Sequence, residues 1–255
     1  MLREKINKEW LNQKYIIEKL SQRQIAKLCG FSNASIFQWM KKYNILARPT
    51  AEATHLRIKN NHCSLPQEAI QFIEGELLGD GCLVSRSPYS SLFQYGSKYL
   101  EYIEYIKNTL DSFGIKQSGK ILKQHYEDMD CIAYHYRSLS YPELVPIRNR
   151  WYPNNKKIVP KDLRLTPLMI RQWYIGDGSL VKPKRWENPH IMLATCGFTI
   201  LEVECLVARL IQLGFNATRQ LSGNRIRVST ESTKDFLDYI GNCPVECYDY
   251  KFKIK

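Results

Sequence analysis

The chain has 255 residues, 44% of them hydrophobic and 24% charged, and its 37 Lys+Arg against 25 Asp+Glu give a net charge of +12. Length and balance are those of a soluble globular protein with one large domain, or a large and a small one, while the charge points to a polyanionic partner, most simply nucleic acid. No stretch approaches the length of a membrane span, and the start Met1-Leu-Arg-Glu-Lys lacks the apolar run of a signal peptide. We therefore expect a protein with no membrane partner, not secreted, in a bacterial or phage cytoplasm or an organellar matrix. Eight cysteines stand at 29, 63, 82, 131, 196, 205, 243 and 247. They read as reduced thiols, because only Cys243 and Cys247 are close and a zinc site would need His62 or distant thiols.

Residues 1–65 carry 12 Lys+Arg against 4 Asp+Glu, two-thirds of the net charge. Residues 1–48 are expected to form a small all-α module. In Gln22–Trp39, Ala26 permits close approach of two helices, Gly30 makes the turn, and Ile25, Ile36 and Trp39 pack inside. The pattern resembles a helix-turn-helix, with the second helix starting near Ser32 as N-cap and exposing Asn33, Ser35, Gln38 and Lys41 to a DNA groove. Residues 49–65 lack a clear apolar period and read as a basic linker, partly helical.

From residue 66 the chain repeats itself. An apolar helix (67–80, then 166–177) ends in Gly-Asp-Gly, and strand-like stretches follow at Ser91–Gly96 and His190–Thr195. Amphipathic helices over Tyr99–Phe113 and Ile200–Leu213 stop at Gly114 and Gly214, as helices commonly do. Pairs of β-runs come next (Lys120–Gln124 with Ile132–Ser138, Ala217–Leu221 with Arg225–Thr230), and short helices at Tyr141–Arg150 and Thr233–Ile240 close each half. The expected fold class is α+β, built from tandem α-β-β-α-β-β-α repeats over 66–160 and 161–255.

The segments Ile73-Glu-Gly-Glu-Leu-Leu-Gly-Asp80-Gly81 and Ile170-Arg-Gln-Trp-Tyr-Ile-Gly-Asp177-Gly178 carry the chemistry. A carboxylate in the last turn of a helix is repelled by the partial negative charge there, by roughly 0.3–1 kcal/mol. Two such conflicts in one chain suggest carboxylates held for a task that cations complete.

The doubled motif resembles that of the single-chain, intron-encoded LAGLIDADG homing endonucleases. So do Trp151-Tyr-Pro-Asn-Asn-Lys156-Lys157-Ile-Val-Pro160, Leu165-Thr-Pro, Phe198-Thr-Ile-Leu-Glu-Val-Glu and Tyr250-Lys251, all in order along residues 66–255. The resemblance implies motif helices packed at a pseudo-twofold axis, with Gly75, Gly79 and Gly176 at their interface and Gly81 and Gly178 turning the chain away. Gln172 and Trp173 stand in the second motif where the first has Gly75 and Glu76. It also implies two curved sheets forming a DNA-binding saddle, with Asp80 and Asp177 adjacent at its base. Two nearby carboxylates repel, and Mg²⁺ relieves that repulsion. Asp80 and Asp177 are thus expected as metal ligands, the Gly81 and Gly178 carbonyls as helpers, and Lys157 and Lys251 as the lysines near each half-site, with Lys156 replacing Lys157 if the register shifts by one. Mn²⁺ is expected to substitute, and Ca²⁺ to support binding without cleavage.

In such a saddle alternate strand residues face the DNA. Arg225 and Arg227 then share a face, His135 and Arg137 are assigned to opposite faces so that at most one reads DNA, and Lys120 and Lys123 contact phosphates. The expected function is site-specific, Mg²⁺-dependent double-strand cleavage of a long DNA target by a monomer, since two repeats already complete the pseudo-dimer. Two other readings fit the same family: a cleavage-inactive DNA-binding regulator, and an RNA maturase acting on intron RNA.

Overall fold

The computed structural model describes residues 6–57, 61–182 and 189–254, and the chain divides between Asn60 and Asn61 into two compact units. The first unit is helical. Helix α1 (Lys8–Asn12) starts where the Asn7 side chain accepts the Trp10 N–H at 2.8 Å, and it runs on into a π-helical turn over Gln13–Ile17. Helix α2 (Gln22–Cys29) opens with a reciprocal cap between Ser21 and Gln24 and ends at Gly30, whose φ of 72° is left-handed. Helix α3 (Asn33–Lys42) begins at Ser32, whose hydroxyl accepts the Ser35 N–H at 3.1 Å. Ile25, Ala26, Ile36 and Met40 are buried with Leu11 and Tyr15. Met40, four residues after Ile36, fills the interior position expected for Trp39. Trp39 sits half-buried at the rim, edge-on to Phe31 at 4.9 Å.

Within residues 49–65, helix α4 (Thr50–Arg57) belongs to the first unit. Arg48, just before it, stacks over the Tyr15 ring at 3.9 Å. Residues 61–65 belong to the second unit, where the Ser64 N–H reaches the Phe113 carbonyl and His62 pairs with Glu143 at 2.7 Å.

The second unit folds the same way twice. Its first half is α5 (Gln67–Leu78), β1 (Cys82–Ser87), β2 (Ser90–Ser97), α6 (Leu100–Ser112), β3 (Leu122–Tyr126), β4 (Cys131–Arg137) and α7 (Leu144–Trp151). Its second half is α8 (Pro167–Asp177), β5 (Gly178–Val181), β6 (His190–Leu193), α9 (Ile200–Gln212), β7 (Ala217–Gln220), β8 (Arg225–Val228) and α10 (Thr230–Ile240). Each half makes one antiparallel four-stranded sheet, ordered β1-β2-β4-β3 and β5-β6-β8-β7. The expected duplicated α+β unit is therefore the one that forms. One face of each sheet lies in a continuous core through Leu83, Phe93, Tyr95 and Tyr136 in the first half, and Ile191, Leu193, Ile226 and Val228 in the second.

Helices α5 and α8 meet at the centre of this core. Their approach is too close for a side chain at Gly75. A Cβ on Gly75 would lie 2.7 Å from the Met169 carbonyl oxygen and 2.9 Å from Gln172 Cβ. Gly79 and Gly176 face each other reciprocally: a Cβ on Gly79 would touch Gly176 Cα at 3.7 Å, and one on Gly176 would touch Gly79 Cα at 3.8 Å. Gly75→Ala is therefore expected to lower stability by about 1–3 kcal/mol through overpacking, measured by denaturant midpoint. Gly197→Ala, where a Cβ meets nothing within 4 Å, should leave the midpoint unchanged. Equal midpoints for both variants would contradict the packing described.

Candidate active site at the motif-helix ends

The reciprocal glycine contact sets where the aspartates stand. Asp80 follows the Gly79 cap of α5, Asp177 is the last residue of α8, and a Cβ on Gly79 would lie 3.8 Å from the Asp177 backbone nitrogen. Asp80 opens onto a groove on the first sheet, and Asp177 is half-buried. Burial raises the Asp177 carboxyl to about 6, the Asp80 charge adds to the rise, and Lys157 and Lys251 oppose it. Asp80 is raised by burial against the pull of the same two lysines. The two carboxylates share one electrostatic field, which is the condition for a paired cation site.

Both lysines dock on the motif helices. Lys157 Nζ donates to the Gly79 and Gly81 carbonyls at 2.9 and 3.0 Å, and Lys251 Nζ donates to those of Ile175 and Gly176 at 2.6 and 3.4 Å. Each ammonium therefore answers the negative end of a helix dipole and the adjacent carboxylate together. Lys251 is only 7% exposed, which excludes a freely solvated tail lysine. Burial lowers both ammonium groups, Lys251 to about 8, while Asp177 and Asp80 pull them upward. The Gly81 carbonyl, expected as a metal helper, already accepts the Lys157 bond. Gly178 opens strand β5, and a Cβ there would collide with Tyr174.

Among the described residues no three or more His, Cys, Asp or Glu side chains gather around a metal position.

Glu76 is the site feature sequence reasoning passed over, although a carboxylate inside an apolar helix was its signal. It is fully buried and accepts a 2.6 Å bond from the Tyr102 hydroxyl, which also reaches Gln172 at 3.2 Å. Burial raises Glu76 to about 8, with the Asp80 charge adding to the shift. A carboxyl held neutral there keeps a third negative charge away from the aspartates.

The first groove is lined by Asp80, Cys82, Gln94, Tyr95, Gly96, Ser118, Lys120, Leu122, Gln124, His135, Tyr136 and Arg137, of which Tyr95 and Tyr136 are otherwise buried in the core. His135 and Arg137 line it together, which corrects their expected assignment to opposite faces: residues two apart on a strand share a face, and buried Tyr136 between them takes the other. Tyr126 fixes the His135 ring by a 3.2 Å hydroxyl contact. Lys120 lines the groove. Lys123 does not, because it lies between the groove residues Leu122 and Gln124 and is paired with Tyr134, and so turns to the opposite face. Gln94 and Gln124 went unnamed in the sequence, yet the alternation of Gln94 with buried Phe93 and Tyr95 marks it. In the second sheet Arg225 and Arg227 alternate with buried Ile226 and Val228, so they share the outer face as expected. In the first unit Asn33, Gln38 and Lys41 are exposed on α3, whereas Ser35 is half-buried with its hydroxyl 2.9 Å from that of Ser32.

This fold and this site define a single-chain protein with two LAGLIDADG motifs. The chain belongs to the LAGLIDADG DNA endonuclease family, whose profile matches residues 70–236. The uncharacterized protein MJ1098 of Methanocaldococcus jannaschii is 31% identical over 200 residues, covering 78% of this chain and 75% of that protein. The cytochrome b mRNA maturase bI2 of Debaryomyces hansenii is 25% identical over 177 residues, 62% of each protein. The homing endonuclease I-WcaI, solved bound to its DNA recognition sequence, shares the fold with a TM-score of 0.67 at 20% identity, covering 84% of this chain and 98% of its own.

The buried acid predicts a pH dependence. Below the ordinary carboxyl value of 4.5, Glu76 is protonated in both folded and unfolded chains. Between 4.5 and about 8 only the unfolded chain releases the proton. Stability therefore falls as pH rises, by up to about 1.4 kcal/mol per unit, and the loss is complete above about 8. Glu76→Gln removes this dependence, so from pH 5 to 9 its melting temperature should drop less than that of the wild type. Parallel curves would contradict a buried neutral acid.

Proposed function

We propose that the protein is a site-specific, Mg²⁺-dependent double-strand DNA endonuclease of the homing class. The observation that carries this is the pair Asp80 and Asp177, one from each motif helix, set together by the Gly79–Gly176 contact and flanked by Lys157 and Lys251. Bound between the carboxylates, Mg²⁺ would activate a water and offset charge developing on the scissile phosphate and the leaving 3′-oxygen. Asp80 and Asp177 would hold that cation, with the Gly81 and Gly178 carbonyls as candidate helpers. Lys157 and Lys251 fix the helix ends and supply positive charge near each strand. Mn²⁺ should serve in place of Mg²⁺, and Ca²⁺ should allow binding alone. With both half-sites in one chain, a monomer suffices.

The two sheets supply the DNA contacts in this reading. Lys120, Arg137, Arg225 and Arg227 are the cationic residues of their outer faces, and Lys123, on the reverse face, drops out of the set. The helical unit, with Asn33, Gln38 and Lys41 exposed on α3, is an added anchor on the duplex. A second reading, RNA maturase activity on intron RNA, is favoured by the Debaryomyces relative, which is itself named as an mRNA maturase. Splicing assistance that persists in Asp80→Asn and Asp177→Asn would separate the two roles.

Asp80→Asn or Asp177→Asn should abolish cleavage while leaving specific binding within a few-fold of wild type, measured on duplex recovered from a randomised pool. Cleavage at the wild-type rate by either variant would overturn the metal-site assignment. Deleting residues 1–60 should weaken binding and flatten the dependence of log K on log salt, since each lost phosphate contact lowers that slope by roughly 0.9. An unchanged affinity and slope would remove the anchor.

A further inference from the structure

The two sheets carry different side chains, yet their registers superimpose on the aspartates. Two residues after Asp80, Cys82 pairs with Gln94, and Gln94 pairs with Arg137. Two residues after Asp177, Ser179 pairs with Met192, and Met192 pairs with Arg227. Arg137 and Arg227 therefore occupy the same row and the same strand of the two halves, each two strands from its aspartate's own strand. At about 4.8 Å per strand, both backbones lie about 10 Å from that strand.

Little else in these rows is shared. Gln94 stands where the second half has Met192. His135 stands where it has Arg225, and the partner of His135, Leu122, stands where the partner of Arg225, Gln220, is found. Among the polar residues of these rows, arginine alone recurs. Neither guanidinium enters a salt bridge among the described residues, and Arg137 lines the open groove of the first sheet. Arg219 provides the contrast, since on the neighbouring strand it faces the helices and is held by Glu204 at 3.4 Å. On duplex DNA the acceptors that suit a fork of N–H donors are O6 and N7 of guanine in the major groove.

We infer that Arg137 and Arg227 read two guanines at mirror-related positions of the target, one on each strand and equally distant from the centre of the cut. This rests on the endonuclease reading above. The pseudo-twofold that relates the arginines exchanges the two DNA strands, so the target carries a G·C pair on one side and a C·G pair on the other. The positions flanking them follow no such symmetry, because glutamine, histidine and leucine in one half face methionine, arginine and glutamine in the other. The target is thus a largely asymmetric sequence with one palindromic base pair set by the arginines.

The test uses the full chain and a randomised duplex pool, cleaved with Mg²⁺ or retained with Ca²⁺, with recovered sequences aligned on the cut centre. The expected result is a guanine preference of roughly 5- to 150-fold at two mirror-related positions, the range of one good bidentate contact. Arg137→Ala should abolish the preference on one side only and Arg227→Ala on the other. Unchanged preferences at all remaining positions show that each variant is folded. A recovered site without mirror-related guanines, or guanine preferences that survive both substitutions, would overturn the inference and leave the endonuclease reading standing. Failure of the wild type to cut or select any duplex would overturn that reading, and this inference with it.

Discussion

The structure depends on one close approach. At Gly79 and Gly176 the two motif helices come within van der Waals reach of each other's backbones, and at Gly75 a Cβ would collide with the Met169 carbonyl of the partner helix. Everything that distinguishes the site follows from that contact. It brings two helix C-termini and two aspartates into one small volume, an arrangement opposed three ways, by dipole against dipole, by carboxylate against dipole and by carboxylate against carboxylate.

The chain answers that concentration of negative charge with its own groups. Lys157 and Lys251 arrive from distant parts of the sequence and place an ammonium on each helix end. Glu76, buried between the helices, stays neutral. Asp177 still sits near 6, chiefly because burial penalises its charged form, with the Asp80 charge adding to the rise. A partly buried carboxylate pair of this kind gains from a divalent cation, which links the stability of the helix pair to the chemistry proposed for it.

Much of this was legible in the sequence because the signals were redundant. The duplicated order of apolar helix, strands, amphipathic helix and strands gave both halves, and Gly114 and Gly214 marked matching helix ends. Asp80 and Asp177 stood out because each breaks a local rule at the same place in its repeat. The misses have physical causes. His135 and Arg137 were assigned to opposite faces, against the two-residue period of a strand, and the burial of Tyr136 between them shows the alternation plainly. Lys123 is a basic residue on a strand whose two faces are nearly equally exposed, so composition could not orient it. Met40 replaced Trp39 in the helical core because the smaller, flexible side chain sits four residues from Ile36 on the inward stripe. The Glu76–Tyr102–Gln172 network joins residues 26 and 70 positions apart, a proximity that only the packed helices create.

The central claim is that Asp80 and Asp177 form one electrostatic unit across the helix contact. Its most direct test is a carboxylate NMR titration of Asp177 in the wild type and in Asp80→Asn. With Asp80 present, Asp177 should titrate near 6. Removal of the neighbouring charge should move it measurably toward the ordinary carboxylate range, because ionisation no longer meets a like charge. An Asp177 titration unchanged by the substitution would contradict the account, since it would place the two carboxylates outside each other's field.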